Sequence, residues 1–216
     1  MKKISIKEMT TIGILSALAV VVSFLAIFPL VPTVAWLRYD PKDIIVVIGG
    51  FIYGPFSAFL ISFISSLLEM IFKGGGIFDL IMNVISTCAF ACVAALIYKR
   101  KHTKEGAIIG LVAGIVCTTF CMIIWNYIVT PIYYKMDRTA LLVMWMPGII
   151  LFNLLKAGLN AGITLFLYKN VVTILRKTNL VENSDSTSER NSTLFLLGIF
   201  ITATIVCIVL VIQGII

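Results

Sequence analysis

The sequence predicts an all-α integral membrane protein: a six-helix bundle followed by one additional C-terminal transmembrane helix. Three observations carry that reading. Hydrophobic residues make up 60% of the 216-residue chain and charged residues only 12%, too little polar surface for a water-soluble fold. Apolar runs near or above the ~20 residues needed to cross a hydrocarbon core recur along almost the whole chain. These runs are continuously apolar instead of alternating, which selects helices over a β-barrel.

The basic start Met1-Lys2-Lys3, with Lys7, leads into helix 1 over residues 8–28. That run is too long for a signal-peptide core and has no small-residue cleavage site, so it reads as a retained span. Gly13 and Ala17, four residues apart, form a small-residue face that another helix can approach closely, inside this bundle or from a partner. Pro29 and Pro32 end helix 1, and the loop through Asp40 is too polar and too broken to span. Asp40 is placed to cap a short helix 2 over 41–53 with Pro41 at its first position, and Gly54-Pro55 ends it. Helix 3, over 56–72, carries Glu69 four residues before Lys73, and Gly74-Gly75-Gly76 breaks the chain.

Helix 4 over 79–98 opens on Asp79 as cap and closes on Tyr98-Lys99-Arg100-Lys101. Helix 5 over 106–129 stops at Thr130-Pro131. A loop of mixed character, with Tyr134, Asp137, Arg138 and Trp145, leads through Pro147 into helix 6 over 148–169. Residues 1–177 therefore form one membrane domain, 178–193 a polar linker rich in Ser, Asn and Glu, and 194–216 the additional helix.

The net charge of +7 is spread over the ends of apolar segments and not gathered in one patch. It is a topology signal, and no nucleic-acid partner is expected. With the N-terminus in the cytoplasm, eleven basic residues lie inside (Lys2, Lys3, Lys7, Lys99, Arg100, Lys101, Lys104, Lys169, Arg176, Lys177, Arg190) against five outside (Arg38, Lys42, Lys73, Lys135, Arg138). Seven spans would then leave the C-terminus outside. The five cysteines, all in apolar runs, do not suggest a disulfide framework. Cys88/Cys92 and Cys117/Cys121 have a spacing a thiolate metal site can use, but Cys is also an ordinary small residue of buried helices, and no metal is expected. The chain has no HExxH, GxSxG or GxxxxGK[ST] motif, so neither catalysis nor ATP hydrolysis is expected of it.

The anomaly in this lipid-adapted sequence is helix 6. Lys156 costs roughly 2.5–3.5 kcal/mol to place inside a spanning helix, so it needs a cavity or a partner. Asn153 and Asn160 stand at i−3 and i+4 and share its face. Counting 1.5 Å per residue from the outer helix ends puts Asn83, Asn126 and the Asn153–Lys156 turn in one outer-leaflet layer. The loop Leu37-Arg38-Tyr39-Asp40 lies above it, and Met82, Trp125, Tyr127 and Phe152 supply apolar surface nearby. Apolar walls with a few convergent carboxamides suit a flat, amphipathic, hydrogen-bonding ligand. The alternative is that the amides bond between helices and Lys156 pairs with Glu69 or Asp79. Asn160, a further turn inward, reads as a helix-packing amide.

Five segments, Leu37-Arg-Tyr-Asp-Pro-Lys-Asp43, Ile48-Gly-Gly-Phe-Ile-Tyr-Gly-Pro55, Leu80-Ile-Met-Asn-Val-Ile-Ser-Thr87, Trp125-Asn-Tyr127 and Phe152-Asn-Leu-Leu-Lys156, resemble the riboflavin-specific (RibU-type) S components of energy-coupling factor (ECF) transporters. The resemblance spans about residues 5–177 and implies the six-helix S-component bundle in a bacterial cell membrane. It further implies capture of riboflavin, or FMN, from outside, and delivery inward with a transmembrane scaffold protein and two ATP-binding subunits. Matched position by position, Asn126, Asn153 and Lys156 correspond to flavin-bonding residues, Leu37, Tyr39 and Asp40 to the lid, and Met82 and Asn83 to the helix 4 wall. Gly13 and Ala17 correspond to the small-residue face that meets the scaffold. No cofactor is implied; riboflavin is cargo. The additional helix departs from the six-helix pattern. The alternatives left open are another vitamin as ligand, an intramembrane enzyme using Lys156, or a purely structural partner protein that binds no small molecule.

Overall fold

The computed structural model describes residues 5–25, 27–177 and 192–215; most of the polar linker, residues 178–191, lies outside the described residues. The helices are α1 (Ile6–Leu25), α2 (Lys42–Tyr53), α3 (Pro55–Lys73), α4 (Ile77–Arg100), α5 (Lys104–Tyr134), a short α6 (Arg138–Ala140), α7 (Met146–Lys177) and α8 (Ser192–Ile212). Among the described residues, six stretches are long and apolar enough to cross a membrane: α1, α3, α4, α5, Arg138–Tyr168 and Phe195–Ile212. At 12 residues, or about 18 Å, α2 falls short of a hydrocarbon core. It is apolar nearly all round and buried from Lys42 through Phe51, because it runs through the middle of the bundle against α1, α3, α4 and α7.

Small residues set the closest approaches. A Cβ at Gly110 would stand 2.7 Å from Ala94 O, and one at Gly114 2.6 Å from Phe90 O, so glycine on α5 lets its backbone rest on α4. Gly50 does the same for α2, where a Cβ would come within 3.0 Å of Ala58 Cβ and 2.9 Å of Ala95 Cβ. Helices in lipid gain nothing from burying apolar surface against one another, so such backbone contact is what drives their association. By contrast, nothing lies within 4 Å of a Cβ at Gly13, which with Ala17 is exposed on α1.

Several expected boundaries shift. Pro131 does not end α5, which runs three residues further, since a proline in the last turn costs a single hydrogen bond. Lys135, at φ 50°, closes it by donating its N–H to Pro131 O. The loop expected before helix 6 is largely helical. Asp137 accepts the Thr139 N–H at 2.8 Å to start α6, and a π turn, Leu141–Trp145, carries the chain into α7. Pro147 has no N–H for the Val143 carbonyl, and the helix widens there, with Met146 N–H reaching back to Leu141 O. Asp40 still receives the Lys42 N–H, at 3.2 Å, although α2 begins one residue later than the capping pattern suggests. Asp79 sits three residues inside α4 and accepts the Gly76 N–H at 2.9 Å.

Between α1 and α2 the loop has regular structure that its prolines did not announce. Phe28–Pro29 (β1) pairs antiparallel with Arg38–Tyr39 (β2), Phe28 opposite Tyr39 and Pro29 opposite Arg38, with a 3-10 turn at Pro32–Val34. Leu30, Val31 and Val34 point inward and pack with Leu141, Ile149 and Phe152.

Candidate substrate-binding site

Under this loop lies a cavity of about 100 Å³ lined by Trp36, Leu37, Arg38, Asp40, Met82, Asn83, Ser86, Met122, Asn126, Phe152, Asn153 and Lys156. Seven of the eight residues expected in the substrate site are on that wall: Leu37, Asp40, Met82, Asn83, Asn126, Asn153 and Lys156. They come from the loop, α4, α5 and α7, so no single element makes the site. The eighth, Tyr39, is placed differently: its side chain is buried and turned away from the cavity, and its hydroxyl donates to Asn160 Oδ1 at 2.9 Å. Strand alternation explains this, since in β2 neighbouring residues point to opposite faces. Trp125 and Tyr127 are also absent from the cavity wall, because positions flanking Asn126 on a helix lie about 100° to either side of it.

Asn126 and Asn153 are folded back on their own helices. Asn126 Nδ2 donates to Met122 O at 2.8 Å and its Oδ1 accepts the Thr130 hydroxyl at 2.9 Å, while Asn153 Nδ2 donates to Ile149 O at 2.8 Å. These bonds hold both amides without a ligand, and a side-chain rotation would trade them for ligand atoms.

Lys156 is paired neither with Glu69 nor with Asp79. Its Nζ lies 3.5 Å from Asp40 Oδ2 and 3.5 Å from Asp43 Oδ2. Both distances exceed the ~2.7–2.9 Å of a tight charge-assisted bond, so the ammonium is shared between two carboxylates and keeps donor capacity toward the cavity. Asp43 is further held by the Thr87 hydroxyl at 2.7 Å and by Asn160 Nδ2 at 3.2 Å. Asn160 thus braces Tyr39 and Asp43 and does not line the cavity.

A second group of ion pairs lies directly behind. Lys42 is wholly buried, and its Nζ bonds Glu69 Oε2 and donates to Ser66 Oγ at 3.3 Å. Glu69 also takes Lys73 Nζ at 2.8 Å, which in turn donates to Ser23 Oγ at 2.9 Å and Ser23 O at 3.1 Å on α1. The positive-inside count puts Lys42 and Lys73 among the outer charges; Lys42 belongs to the bundle interior instead, whereas Lys73 stays exposed at the end of α3 with its ammonium turned in to Glu69. The cluster balances three cations (Lys42, Lys73, Lys156) with three carboxylates (Asp40, Asp43, Glu69), as low-dielectric surroundings require. In the loop, burial works against ionisation of Asp40, but Lys156, Lys42 and Lys73 hold its carboxyl below the usual range. Burial and the Asp43 carboxylate push the Tyr39 phenol up, which keeps it a neutral donor.

The five cysteines are free thiols, and the described residues contain no group of three or more His, Cys, Asp or Glu placed to hold a metal ion.

The family model for the substrate-specific component of ECF transporters matches residues 7–168. The chain belongs to that family. This S component is a transporter subunit and not an enzyme, and it sits in the cell membrane as a multi-pass protein. It is 28% identical over 177 residues to riboflavin transporter RibU of Staphylococcus aureus, covering 79% of this chain and 93% of that one. To riboflavin transporter FmnP of Bacillus subtilis it is 27% identical over 161 residues, covering 70% and 84%. A solved structure of the S component of a bacterial ECF transporter matches with a TM-score of 0.68 at 28% identity, over 79% of this S component and 98% of that chain. That coverage leaves room for a six-helix core with α8 added to it.

Proposed function

We propose that this S component captures riboflavin from outside the cell, with FMN as a related ligand, and hands it inward in complex with a transmembrane scaffold and two ATP-binding subunits. The observation that carries the reading is the convergence of Asn83, Asn126, Asn153 and Lys156 on one small cavity under the loop. Three carboxamides and an ammonium match a ring system edged with carbonyl and N–H groups, and Met82, Met122 and Phe152 match its flat apolar faces. The similarity to two riboflavin transporters supports the same ligand. At about 100 Å³ the cavity is smaller than the ~300 Å³ or more of a ligand-filled pocket, so loop residues 28–40 act as a lid that moves outward on binding.

The ligand is tested by titrating riboflavin into the purified subunit and following flavin fluorescence. Quenching that saturates at one flavin per chain is expected, and absence of quenching removes the flavin reading in favour of another vitamin. Asn126→Ala and Asn153→Ala should each weaken binding about 3- to 10-fold, the worth of one neutral hydrogen bond. Unaltered affinity in both would remove the carboxamides from the site.

The same reading has the N-terminus in the cytoplasm, supported by the distribution of basic residues. With Lys42 buried, Arg38, Lys73, Lys135 and Arg138 remain of the five outer basic residues, which keeps the asymmetry that orients the chain. The exposed Gly13–Ala17 face of α1 is the docking surface for the scaffold, because it offers a close backbone approach that nothing in this chain uses at Gly13. Gly13→Leu should abolish ATP-driven uptake while leaving flavin affinity within about twofold. Normal uptake by that variant would move the docking surface elsewhere.

A further inference from the structure

We propose that α8 is an anchor for the lid: it grips β1 through Gln213 and Val209 and sets how readily the lid opens, the lid's part in gating a ligand resting on the reading above. Two independent features carry this.

The first is how α8 is held. A Cβ at Gly198 of α8 would meet Gly162 O at 2.7 Å and Phe166 N at 2.8 Å on α7. One at Gly162 would meet Thr202 Oγ1 at 2.7 Å, and one at Gly158 would meet Ile205 Cδ1 at 2.7 Å. The two helices therefore touch backbone to backbone where Gly198 meets Gly162, and Gly158 makes room for the Ile205 side chain further along the same seam. Lipid-separated apolar helices have no reason to do this, so α8 is a fitted part of the bundle.

The second is what its far end reaches. Gln213 Nε2 donates to Pro29 O at 2.6 Å. Val209, one turn earlier and 6% exposed, packs in the same cluster as Leu30, Val31 and Val34 of the lid. Pro29 is paired with Arg38, so the grip passes through the hairpin to the strand leading into Asp40 over the cavity. Beside the packed residues Leu30, Val31 and Val34, an apolar space of about 730 Å³, bordered by Phe28, Pro32, Ala35, Leu159, Val206 and Leu210, opens between the hairpin and the α7–α8 pair. With the Gln213 bond gone, the hairpin has room to swing.

The test uses the full chain in lipid nanodiscs and reads trypsin cleavage after Arg38 by mass spectrometry. Arg38 is exposed but Tyr39 is buried, so this bond is cut only when the hairpin opens. Gln213→Ala, and Gln213→Glu, which keeps the shape but removes the donor, should each raise cleavage about 3- to 10-fold without lowering the thermal midpoint. Gly198→Leu, which lifts α8 off its seam, should raise it further. Unchanged cleavage in both Gln213 variants overturns the proposal. Where the lid gates flavin, release of bound riboflavin quickens by the same factor. Faster cleavage in a chain that binds no flavin keeps the anchor and removes the flavin reading.

Discussion

Lys156→Met is expected to weaken riboflavin binding by about 10- to 100-fold and, in the same protein, to lower its thermal stability. The affinity loss is that of one charge-assisted hydrogen bond, roughly 1.5–3 kcal/mol. The stability loss comes from the carboxylates on the other side of the ammonium. Asp40 and Asp43 each lie 3.5 Å from Nζ, and without it two negative charges face each other in a buried site. The two effects separate in a double variant. Asp43→Asn added to Lys156→Met should restore most of the stability, because a neutral amide can still receive the Thr87 hydroxyl, which now bonds Asp43 Oδ1 at 2.7 Å. It should not restore flavin binding. Thermal unfolding followed by tryptophan fluorescence reads the first quantity, and flavin quenching the second. If affinity returned with stability, Lys156 would act only as a strut.

Glu69→Gln is expected to be the most destabilising single change in the chain that leaves its volume unaltered. Lys42 is 0% exposed, and Glu69 is its only ion-pair partner among the described residues. Removing one member of a buried pair typically costs about 3–5 kcal/mol, since the other is left charged in a medium that cannot solvate it. Lys73 loses the same partner but is 30% exposed and keeps Ser23, so its share of the cost is smaller. Lys42→Met in the Glu69→Gln background should recover most of the loss, because it removes the stranded charge. The yield of monodisperse protein on size exclusion and its thermal midpoint measure both steps. A Glu69→Gln protein as stable as the parent would mean that water reaches Lys42.

These two variants mark where sequence reasoning stopped. Lys156 was legible as a cost in need of a partner, and Asn83, Asn126 and Asn153 as a layer at one depth, because hydropathy and helical rise are local quantities. Its partners were not legible. Asp40 and Asp43 stand at the foot of α2, 116 and 113 residues before Lys156; by itself Asp40 reads as a cap, and nothing local marks Asp43 as a partner. Lys42 looked like a loop charge for the same reason: that α2 is threaded through the centre of the bundle shows only when α1, α3, α4 and α7 close around it. Tyr39 is expected at the ligand because the resemblance puts Leu37 to Asp40 in the lid, and the pairing of β1 with β2 turns its side chain the other way.

By itself the sequence determined the membrane class, the long apolar helices, the extra C-terminal helix and the family, since each depends on run length, end signals or motifs within a few turns of chain. Tertiary structure alone decided which charges are buried together, which face of the lid meets the cavity, and that α8 is seated on a glycine seam with its end on Pro29. The physical reason is one of range. Hydrophobic length and helix capping act between near neighbours, whereas the pairing of buried charges and the contact of two backbones are set by groups such as Tyr39 and Asn160, which meet across 121 residues of chain.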